Sequence, residues 1–225
     1  MRGVFFYPMN TYNNFINLFE SAISNANRDI SEVELIAVSK KKSSDEIKKV
    51  INLGQLSFGE NQIQEVENKW IALKKEFPKI KLHFIGGIQS RKVRSIFEHC
   101  DVIHSLDRIK IAELFSQLEI KTQVIKNYFI QINIGDEDQK GGVRLSDADN
   151  FITNCIEKYN LKIIGLMCLP PINSDPKKYF VKLKDIANKH NLSSLSMGMS
   201  GDYEMAIECG STHIRIGTQI FGPRN

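Results

Sequence analysis

Cysteine is scarce in this sequence, and no apolar stretch is long enough to span a lipid bilayer. The 225 residues include four cysteines, which lie far apart and form no Cys-x-x-Cys pair. This spacing fits neither a zinc site nor a redox-active dithiol, so we expect reduced thiols. A membrane helix needs about 20 consecutive apolar residues, and no such run occurs. The sequence therefore predicts a cytoplasmic protein without a membrane partner.

Motifs for metal binding, nucleotide binding and serine hydrolysis are also missing. The five histidines form no His-x-x-x-His or His-Glu-x-x-His pair, which argues against a zinc site. There is no G-x-S-x-G elbow, P-loop or G-x-G-x-x-G motif. The 30 basic and 26 acidic residues are interleaved and leave a net charge of only +4. Because nucleic-acid binding needs a clustered basic patch, we expect neither a metal ion nor a nucleic-acid partner.

Short strand-like apolar runs alternate with helical patterns along most of the chain. An amphipathic helix at about 11–28 precedes the first run at 33–39, and a helix that begins at Ser43 or Ser44 extends to Gly54. The other strand-like runs are 56–59, 81–86, 102–106, 128–134, 161–169, 194–197 and 213–217. The other helical patterns are 62–77, 91–99, 108–119, 146–159, 175–190 and 202–208.

Eight strand–helix units predict an α/β fold, a single-domain (β/α)8 TIM barrel with an extra N-terminal helix. No ordinary helix follows the eighth strand, so the leading helix is expected to cover the seam of the barrel. Residues 1–225 are expected to form one domain, with 1–10 an irregular N-terminal extension and little room for a second catalytic domain. An open, Rossmann-like sheet is the alternative.

Glycine and hydroxyl side chains collect at the predicted ends of strands seven and eight. The active site of a TIM barrel lies at the carboxyl ends of its strands, and these two loops often bind phosphate. The residues concerned are Gly198, Ser200, Gly201, Gly217 and Thr218. Glycines allow backbone N–H groups to approach an anion closely, and hydroxyls add donors. The pattern predicts a phosphate site, although glycines that only make turns are the alternative.

Two cations also lie at strand ends. Lys40 follows the apolar residues 36–38, where partial desolvation would lower its pKa and free its amine to attack a carbonyl. A solvated surface lysine is the alternative. Arg215 alternates with Ile214 and Ile216, so its charge must face either a polar ligand or a core salt bridge. A carbonyl-reactive lysine, a phosphate loop and an arginine together suit a phosphorylated aldehyde such as pyridoxal 5′-phosphate (PLP).

Seven short segments at the strand ends carry a family resemblance. They are A-V-S-K (37–40), F-G-E-N (58–61), H-F-I-G (83–86), Q-I-N-I (131–134), G-L-M (165–167), L-S-M-G-M-S (195–200) and R-I-G-T (215–218). Together they resemble the pyridoxal phosphate homeostasis proteins, which are single-domain relatives of the alanine racemase barrel. The resemblance extends from about strand one to the last residues of the chain.

The resemblance implies that Lys40 forms an internal aldimine with PLP, that Arg215 faces the pyridine nitrogen and that Asn61 lines the pocket. An arginine keeps this nitrogen unprotonated, because a second positive charge beside it is unfavourable. The ring is then a weak electron sink. This environment discourages carbanion chemistry without excluding it.

The phosphate-binding residues that the resemblance implies are Ser200, Gly217 and Thr218. The sequence also departs from the usual family motif after strand three, where Gly87 replaces a proline and Arg91 replaces an asparagine. The residue after the lysine, commonly threonine, is Lys41. None of these changes removes an implied cofactor contact, but the loop after strand three is expected to be looser and more basic.

Three functions compete at this stage. The first is a monomeric PLP-binding protein that is not an enzyme, acts in vitamin B6 and amino-acid homeostasis and supplies PLP-dependent apo-enzymes. The second is an amino-acid racemase, which needs two opposed acid/base groups; Lys40 would be one, and no tyrosine is an obvious second. The third is a Schiff-base aldolase for a sugar phosphate, which would use the same lysine and phosphate loops. The chain length favours the first.

Overall fold

The computed structural model describes residues 7–222 and shows a closed barrel of parallel strands, which confirms the predicted (β/α)8 fold. The strands follow one another around the barrel in sequence order, and the last pairs with the first. They are β1 (Glu34–Val38), β2 (Ser57–Glu60), β3 (Lys81–Phe84), β4 (Val102–Leu106), β5 (Asn127–Ile132), β6 (Ile163–Cys168), β7 (Ser194–Ser196) and β8 (His213–Ile216). Because the sheet closes on itself, the open Rossmann-like alternative is wrong.

Helices surround the barrel. They are α1 (Tyr7–Asn25), α2 (Ser44–Asn52), α3 (Ile63–Glu65), α4 (Ile71–Glu76), α5 (Val93–His99), α6 (Ile109–Thr122), α7 (Ala148–Thr153), α8 (Lys177–Lys189), α9 (Tyr203–Glu208) and α10 (Thr218–Phe221). The π-helical turn Val66–Trp70 joins α3 to α4, and the π-helical turn Asn154–Lys158 continues α7. None of the helices within residues 7–222 has the length and apolar character needed to cross a membrane.

Helix α2 begins where a capping box satisfies its first N–H groups. The Ser43 hydroxyl accepts from the Glu46 N–H at 3.3 Å, and the Glu46 carboxylate accepts from the Ser43 N–H at 2.8 Å. Such reciprocal bonds use donors that have no partner within the helix. Of the two predicted N-caps, the structure shows Ser43. The loop between β1 and α2 is therefore residues 39–43.

The irregular extension predicted for residues 1–10 is wrong for its last four residues, because α1 begins at Tyr7. Pro8 is compatible with this early start, since the first turn of a helix does not use its N–H groups and Pro has none to offer. Residues 1–6 of the predicted extension lie outside the described residues. At its other end, α1 stops earlier than predicted, and the left-handed backbone of Asn27 (φ 54°) follows it.

Helix α1 covers the seam between β8 and β1, as predicted. Its buried face includes Phe15, Phe19 and Ile23, which are 2%, 3% and 1% exposed. The Phe15 ring lies 5.4 Å from the ring of Tyr203 in α9, and α1 also packs against α2 and α10. Because α10 is a single turn, α1 supplies the apolar cover that an eighth full helix would otherwise provide.

Strands β3 and β6 are shorter than the runs that predicted them. Strand β3 ends at Phe84 and β6 at Cys168, so Ile85 and Leu169 fall just outside the sheet. Both residues line a cavity at the carboxyl end of the barrel. Ile85 and Leu169 continue the apolar pattern of their strands although their backbones lie outside the sheet. The apolar pattern of the sequence therefore predicted strands longer than those in the structure.

Candidate functional site

The six sequence-predicted cofactor residues line one cavity of about 300 Å³ at the carboxyl end of the barrel. They are Lys40, Asn61, Ser200, Arg215, Gly217 and Thr218. The loops that follow β1, β2, β7 and β8 therefore meet at this cavity, as expected for the carboxyl face of such a barrel. Of the predicted glycines, Gly198 and Gly201 do not line it.

Lys40 is half-buried at the end of β1, whereas Lys41 is exposed. The backbone of Lys41 is left-handed (φ 60°) and forms part of a turn in which the Lys42 N–H donates to the Ser39 carbonyl at 3.1 Å. Lys42 also lines the cavity, although sequence analysis did not select it. Its ammonium donates to the Phe221 carbonyl at 3.2 Å and pairs with Glu46 at 3.2 Å. The lowered pKa expected for Lys40 stays a prediction.

A buried ion pair supports the loop that presents Lys40. The Lys69 ammonium donates to the carbonyl oxygens of Ser39 and Lys42, at 3.1 and 3.2 Å. The same ammonium lies 2.7 Å from Oε1 of Glu60, whose side chain is fully buried. One cation therefore holds both sides of the β1–α2 turn, and the carboxylates of Glu60 and, at 2.8 Å, Glu65 keep that cation in place.

Arg215 lies inside the barrel and is 4% exposed. Its guanidinium donates to the Ser196 hydroxyl through Nη1 and to the Cys168 carbonyl through Nη2, the latter at 3.1 Å. Within residues 7–222, no carboxylate lies within 4.0 Å of it, so the core salt bridge considered from the sequence is wrong. Burial lowers the pKa of Arg215. A guanidinium has five N–H donors, which leaves donors for a ligand in the cavity.

The loop after β7 needs glycine at one position. Gly198 has φ 96°, and a Cβ there would lie 2.6 Å from Cβ of Ala206. This close approach fixes the start of the loop that brings Ser200 to the cavity. The Asp202 carboxylate accepts from the Met199 N–H at 2.7 Å, and α9 begins at the next residue. Ser200 is half-buried, which leaves its hydroxyl at the mouth of the cavity.

Asn61 presents a buried acceptor at the cavity wall. Its Oδ1 is buried and has no hydrogen-bond partner among the described residues. A Cβ added to Gly86 would lie 1.9 Å from the backbone oxygen of Asn61, so only glycine permits this contact between the loops after β2 and β3. A buried acceptor without a partner is costly, and a donor on a bound ligand would satisfy it.

Sequence analysis missed two buried histidines inside the barrel. Nδ1 of His83 lies 2.8 Å from Nε2 of His104, and Nδ1 of His104 lies 2.8 Å from the Ser196 hydroxyl. Burial lowers the pKa of both histidines. The sequence pattern that identified Arg215, a polar residue between two apolar ones, also occurs at His83, which lies between Leu82 and Phe84. No three His, Cys, Asp or Glu residues in the described part of the chain are grouped to bind a metal.

The cysteines are buried single thiols rather than nucleophiles of the site. All four are free and buried. Burial raises the pKa of Cys100, Cys155 and Cys168 to about 12 in each case. A thiol with such a pKa stays protonated near neutral pH, and the thiolate is the reactive form.

Comparison with known proteins identifies the sequence family. The family model described as the alanine racemase N-terminal domain matches residues 19–225. Pyridoxal phosphate homeostasis proteins are similar along nearly the whole chain. That of Aquifex aeolicus is 36% identical and the alignment covers 91% of this chain and 93% of the relative. That of Vibrio cholerae is 38% identical, with 92% of each chain covered.

Solved structures agree with this relationship. PipY of Synechococcus elongatus, solved without PLP, superposes with a TM-score of 0.81 at 30% identity and covers 90% of this chain and 99% of its own. The same protein has been solved with PLP bound, with a TM-score of 0.80. Alanine racemase from Clostridium difficile shares the fold at 8% identity, with a TM-score of 0.69, 91% of this chain covered and 55% of its own. The chain belongs to the pyridoxal phosphate homeostasis protein family, whose barrel is that of the alanine racemase N-terminal domain.

Proposed function

We propose that this protein binds PLP reversibly and acts in cytoplasmic vitamin B6 and amino-acid homeostasis as a monomeric carrier. The observation that supports this proposal is one cavity lined by a half-buried lysine, an arginine without a carboxylate partner and the Ser200 and Thr218 hydroxyls. The name shared by the relatives and the PLP-bound form of PipY point to the same ligand. An aldehyde that reacts with many amines is a reasonable cargo for a protein that shields it.

Lys40 would hold the aldehyde end of PLP. Its amine would bond to the aldehyde carbon with loss of water, and hydrolysis would release the cofactor again. Ser200, Thr218 and the backbone N–H of Gly217 would bind the phosphate. When bound, the pyridine ring supplies an electron sink, and Arg215 weakens that sink by keeping the ring nitrogen unprotonated.

A racemase would need a second acid/base group opposite Lys40. Among the described residues that line the cavity, Lys42 is the one amine besides Lys40. Its ammonium is committed to Glu46 and to the Phe221 carbonyl. We therefore propose that cofactor binding and release, and not racemisation, is the function of the site.

Transfer of the cofactor tests the proposal. Protein loaded with PLP and freed of excess cofactor is mixed with an equimolar PLP-dependent apo-enzyme, and the recovered activity is followed. Free PLP at the same concentration is the control. We expect the apo-enzyme to become active while this protein loses its bound cofactor. Cofactor that never leaves, or steady conversion of L-amino acids to D-amino acids by the loaded protein, would contradict the proposal.

A further inference from the structure

A line of polar side chains crosses the inside of the barrel, from Arg215 at the cavity toward Glu34 at the opposite end. Arg215 donates to the Ser196 hydroxyl, which lies 2.8 Å from Nδ1 of His104. Nε2 of His104 lies 2.8 Å from Nδ1 of His83, and Nε2 of His83 lies 3.4 Å from Oε1 of Glu34. Ser196, His104 and His83 have no solvent exposure. The three therefore form an interior chain between a cation and an anion.

The carboxylate of Glu34 favours one direction for the hydrogen bonds in this chain. A guanidinium only donates and a carboxylate only accepts. Nε2 of His83 faces the Glu34 carboxylate at 3.4 Å without a hydrogen bond, and the anion favours a hydrogen on that nitrogen. The Ser196 hydroxyl accepts from Arg215, and its hydrogen is free to point to Nδ1 of His104. His104 then has its hydrogen on Nε2 and donates to Nδ1 of His83. His83 in turn has its hydrogen on Nε2, facing Glu34. In this arrangement both histidines are neutral Nε2–H tautomers.

The surroundings favour these neutral forms. Burial lowers the pKa of His104 and of His83, and the Phe129 ring stacks on His104 with centroids 4.3 Å apart, which shields it from water. Burial alone would raise the pKa of Glu34. The contact with His213 and the hydrogen bond from the Ser57 hydroxyl oppose this, so the pKa of Glu34 lies below its ordinary value.

The other titratable groups near the chain lie at its two ends and beside it, where the His213 ring is 6.3 Å from that of His83 and 5.9 Å from that of His104, between centroids. The Lys81 ammonium and Nε2 of His213 contact the Glu34 carboxylate at 3.0 and 3.1 Å. At the cavity end, the Cys168 carbonyl accepts from Arg215, and burial keeps the Cys168 thiol protonated. A proton added to His104 would turn Nδ1 into a donor that faces Ser196. The hydroxyl would then lose its acceptor and Arg215 would face a second cation.

We propose that His104 and Ser196 are positioning residues, which fix the guanidinium of Arg215 for a hydrogen bond to the ligand in the cavity. This inference rests on the proposed function. Arginine has a long, flexible side chain, and ordering it at the moment of binding would weaken binding. The interior chain orders it beforehand, although neither His104 nor Ser196 lines the cavity. Ligand affinity therefore depends on an acceptor at the position of Nδ1 of His104.

A matched pair of substitutions at His104 tests this dependence. His104→Asn places an amide oxygen near the position of Nδ1 and keeps an acceptor for Ser196, whereas His104→Leu is of similar size and has none. We expect His104→Leu to raise the dissociation constant for PLP by about tenfold or more, and His104→Asn by less than about threefold. The two variants are first compared in thermal unfolding without ligand, so that a difference in affinity is not a difference in folding.

Nitrogen NMR of the ligand-free wild-type protein supplies a readout that depends on no variant. With ¹⁵N-labelled histidine, the ring nitrogens of His83 and His104 should show the neutral Nε2–H pattern from about pH 8 to about pH 5.5. The His104→Asn spectrum assigns the His104 signals by their loss. An Nδ1–H tautomer or a charged ring at pH 7 for either residue would overturn the proposed direction of the chain.

The outcomes separate this inference from the proposed function. If the wild-type protein binds no PLP, the proposed function fails, and the NMR result alone decides whether the chain exists. If the wild-type protein binds PLP and the two His104 variants bind it equally well, the positioning role is wrong while the proposed function stands. Weaker binding by His104→Leu alone, together with the neutral tautomers, supports the inference.

Discussion

Arg215 combines a permanent charge with a position inside the barrel, where it is 4% exposed. Its hydrogen bonds go to a hydroxyl and a backbone carbonyl, those of Ser196 and Cys168, and not to a carboxylate. Removing a charge from water without an opposite charge nearby is costly. A contribution to the stability of the fold is therefore a poor explanation for Arg215 at this position. A ligand that accepts its remaining hydrogen bonds is a better one.

Replacing Arg215 by methionine separates these two contributions. We expect Arg215→Met to change the free energy of unfolding of the ligand-free protein by less than about 1 kcal/mol, because relief from desolvation offsets two lost hydrogen bonds. We expect the dissociation constant for PLP to rise by about tenfold or more. Urea unfolding and a PLP titration measure the two quantities. A variant that loses stability and keeps its affinity would contradict this account.

Individual site residues were predictable where the sequence places them directly after an apolar run. Lys40 follows β1, and Arg215 alternates with Ile214 and Ile216 in β8, so position alone singled out both. The contact between His83 and His104 was not predictable. It depends on the register of β3 against β4, in which His83 pairs with Val102, and a register between separate strands is not encoded in spacing along the chain.

At the scale of elements, the turn between β1 and α2 depends on a helix that lies elsewhere in the sequence. The π-helical turn Val66–Trp70 allows two consecutive side chains to reach the same carboxylate oxygen. Lys69 Nζ lies 2.7 Å and Trp70 Nε1 lies 3.1 Å from Oε1 of Glu60. The sequence predicted one helix over 62–77, because apolar periodicity does not distinguish a π-helical turn from an ordinary one. Such turns are frequent at functional sites.

Loss of the Lys69 ammonium should therefore be severe. Lys69→Met leaves the fully buried Glu60 carboxylate without its cation, and we expect the free energy of unfolding to fall by about 3–5 kcal/mol. The double variant Lys69→Met/Glu60→Gln should recover most of that loss, because the remaining amide has no charge to desolvate. Urea unfolding of the single and double variants measures the recovery.

The exposed ion pair of Lys48 with Glu76 is the matched control for Lys69. Its side chains are 37% and 50% exposed, so Lys48→Met should cost less than about 1 kcal/mol. Equal effects of the Lys48 and Lys69 substitutions would show that the buried pair does not hold the turn.

For the whole molecule, closure of the barrel brings together residues from both ends of the chain. Strand β1 pairs with β8, with Ile36 opposite Arg215, and α1 covers this seam. Eight strand-like runs and a leading helix were enough to predict that arrangement. The polar interior was not predictable from composition, since the barrel places Glu34, His83 and His104 on one line only after all the strands are in register.

The buried histidines make the stability of the whole protein depend on pH. His83 and His104 have pKa values below the ordinary 6.5 in the folded protein, so the unfolded chain binds more protons below about pH 6.5. The free energy of unfolding should therefore be fully maintained above that pH and fall as the pH decreases, by up to about 1.4 kcal/mol per pH unit for each histidine.

Urea unfolding between about pH 8 and about pH 5 checks this dependence. His104→Asn removes one of the two groups and should reduce the slope by about half. A free energy of unfolding that does not change between pH 7 and pH 5 in the wild-type protein would contradict the assignment of neutral, buried histidines. The lowered pKa of Glu34 adds a further loss at more acidic pH, below its ordinary value of 4.5.

The attachment of PLP to Lys40 is the central claim, and borohydride reduction followed by peptide mass analysis tests it most directly. Lys40 and Lys42 both line the cavity, so the position of the reduced adduct distinguishes them, and Lys41→Ala is the neighbouring control. We predict a visible absorbance that borohydride bleaches, an adduct on Lys40 alone, and loss of both signals in Lys40→Ala but not in Lys41→Ala. An adduct on Lys42, or an unchanged absorbance in Lys40→Ala, would contradict the account.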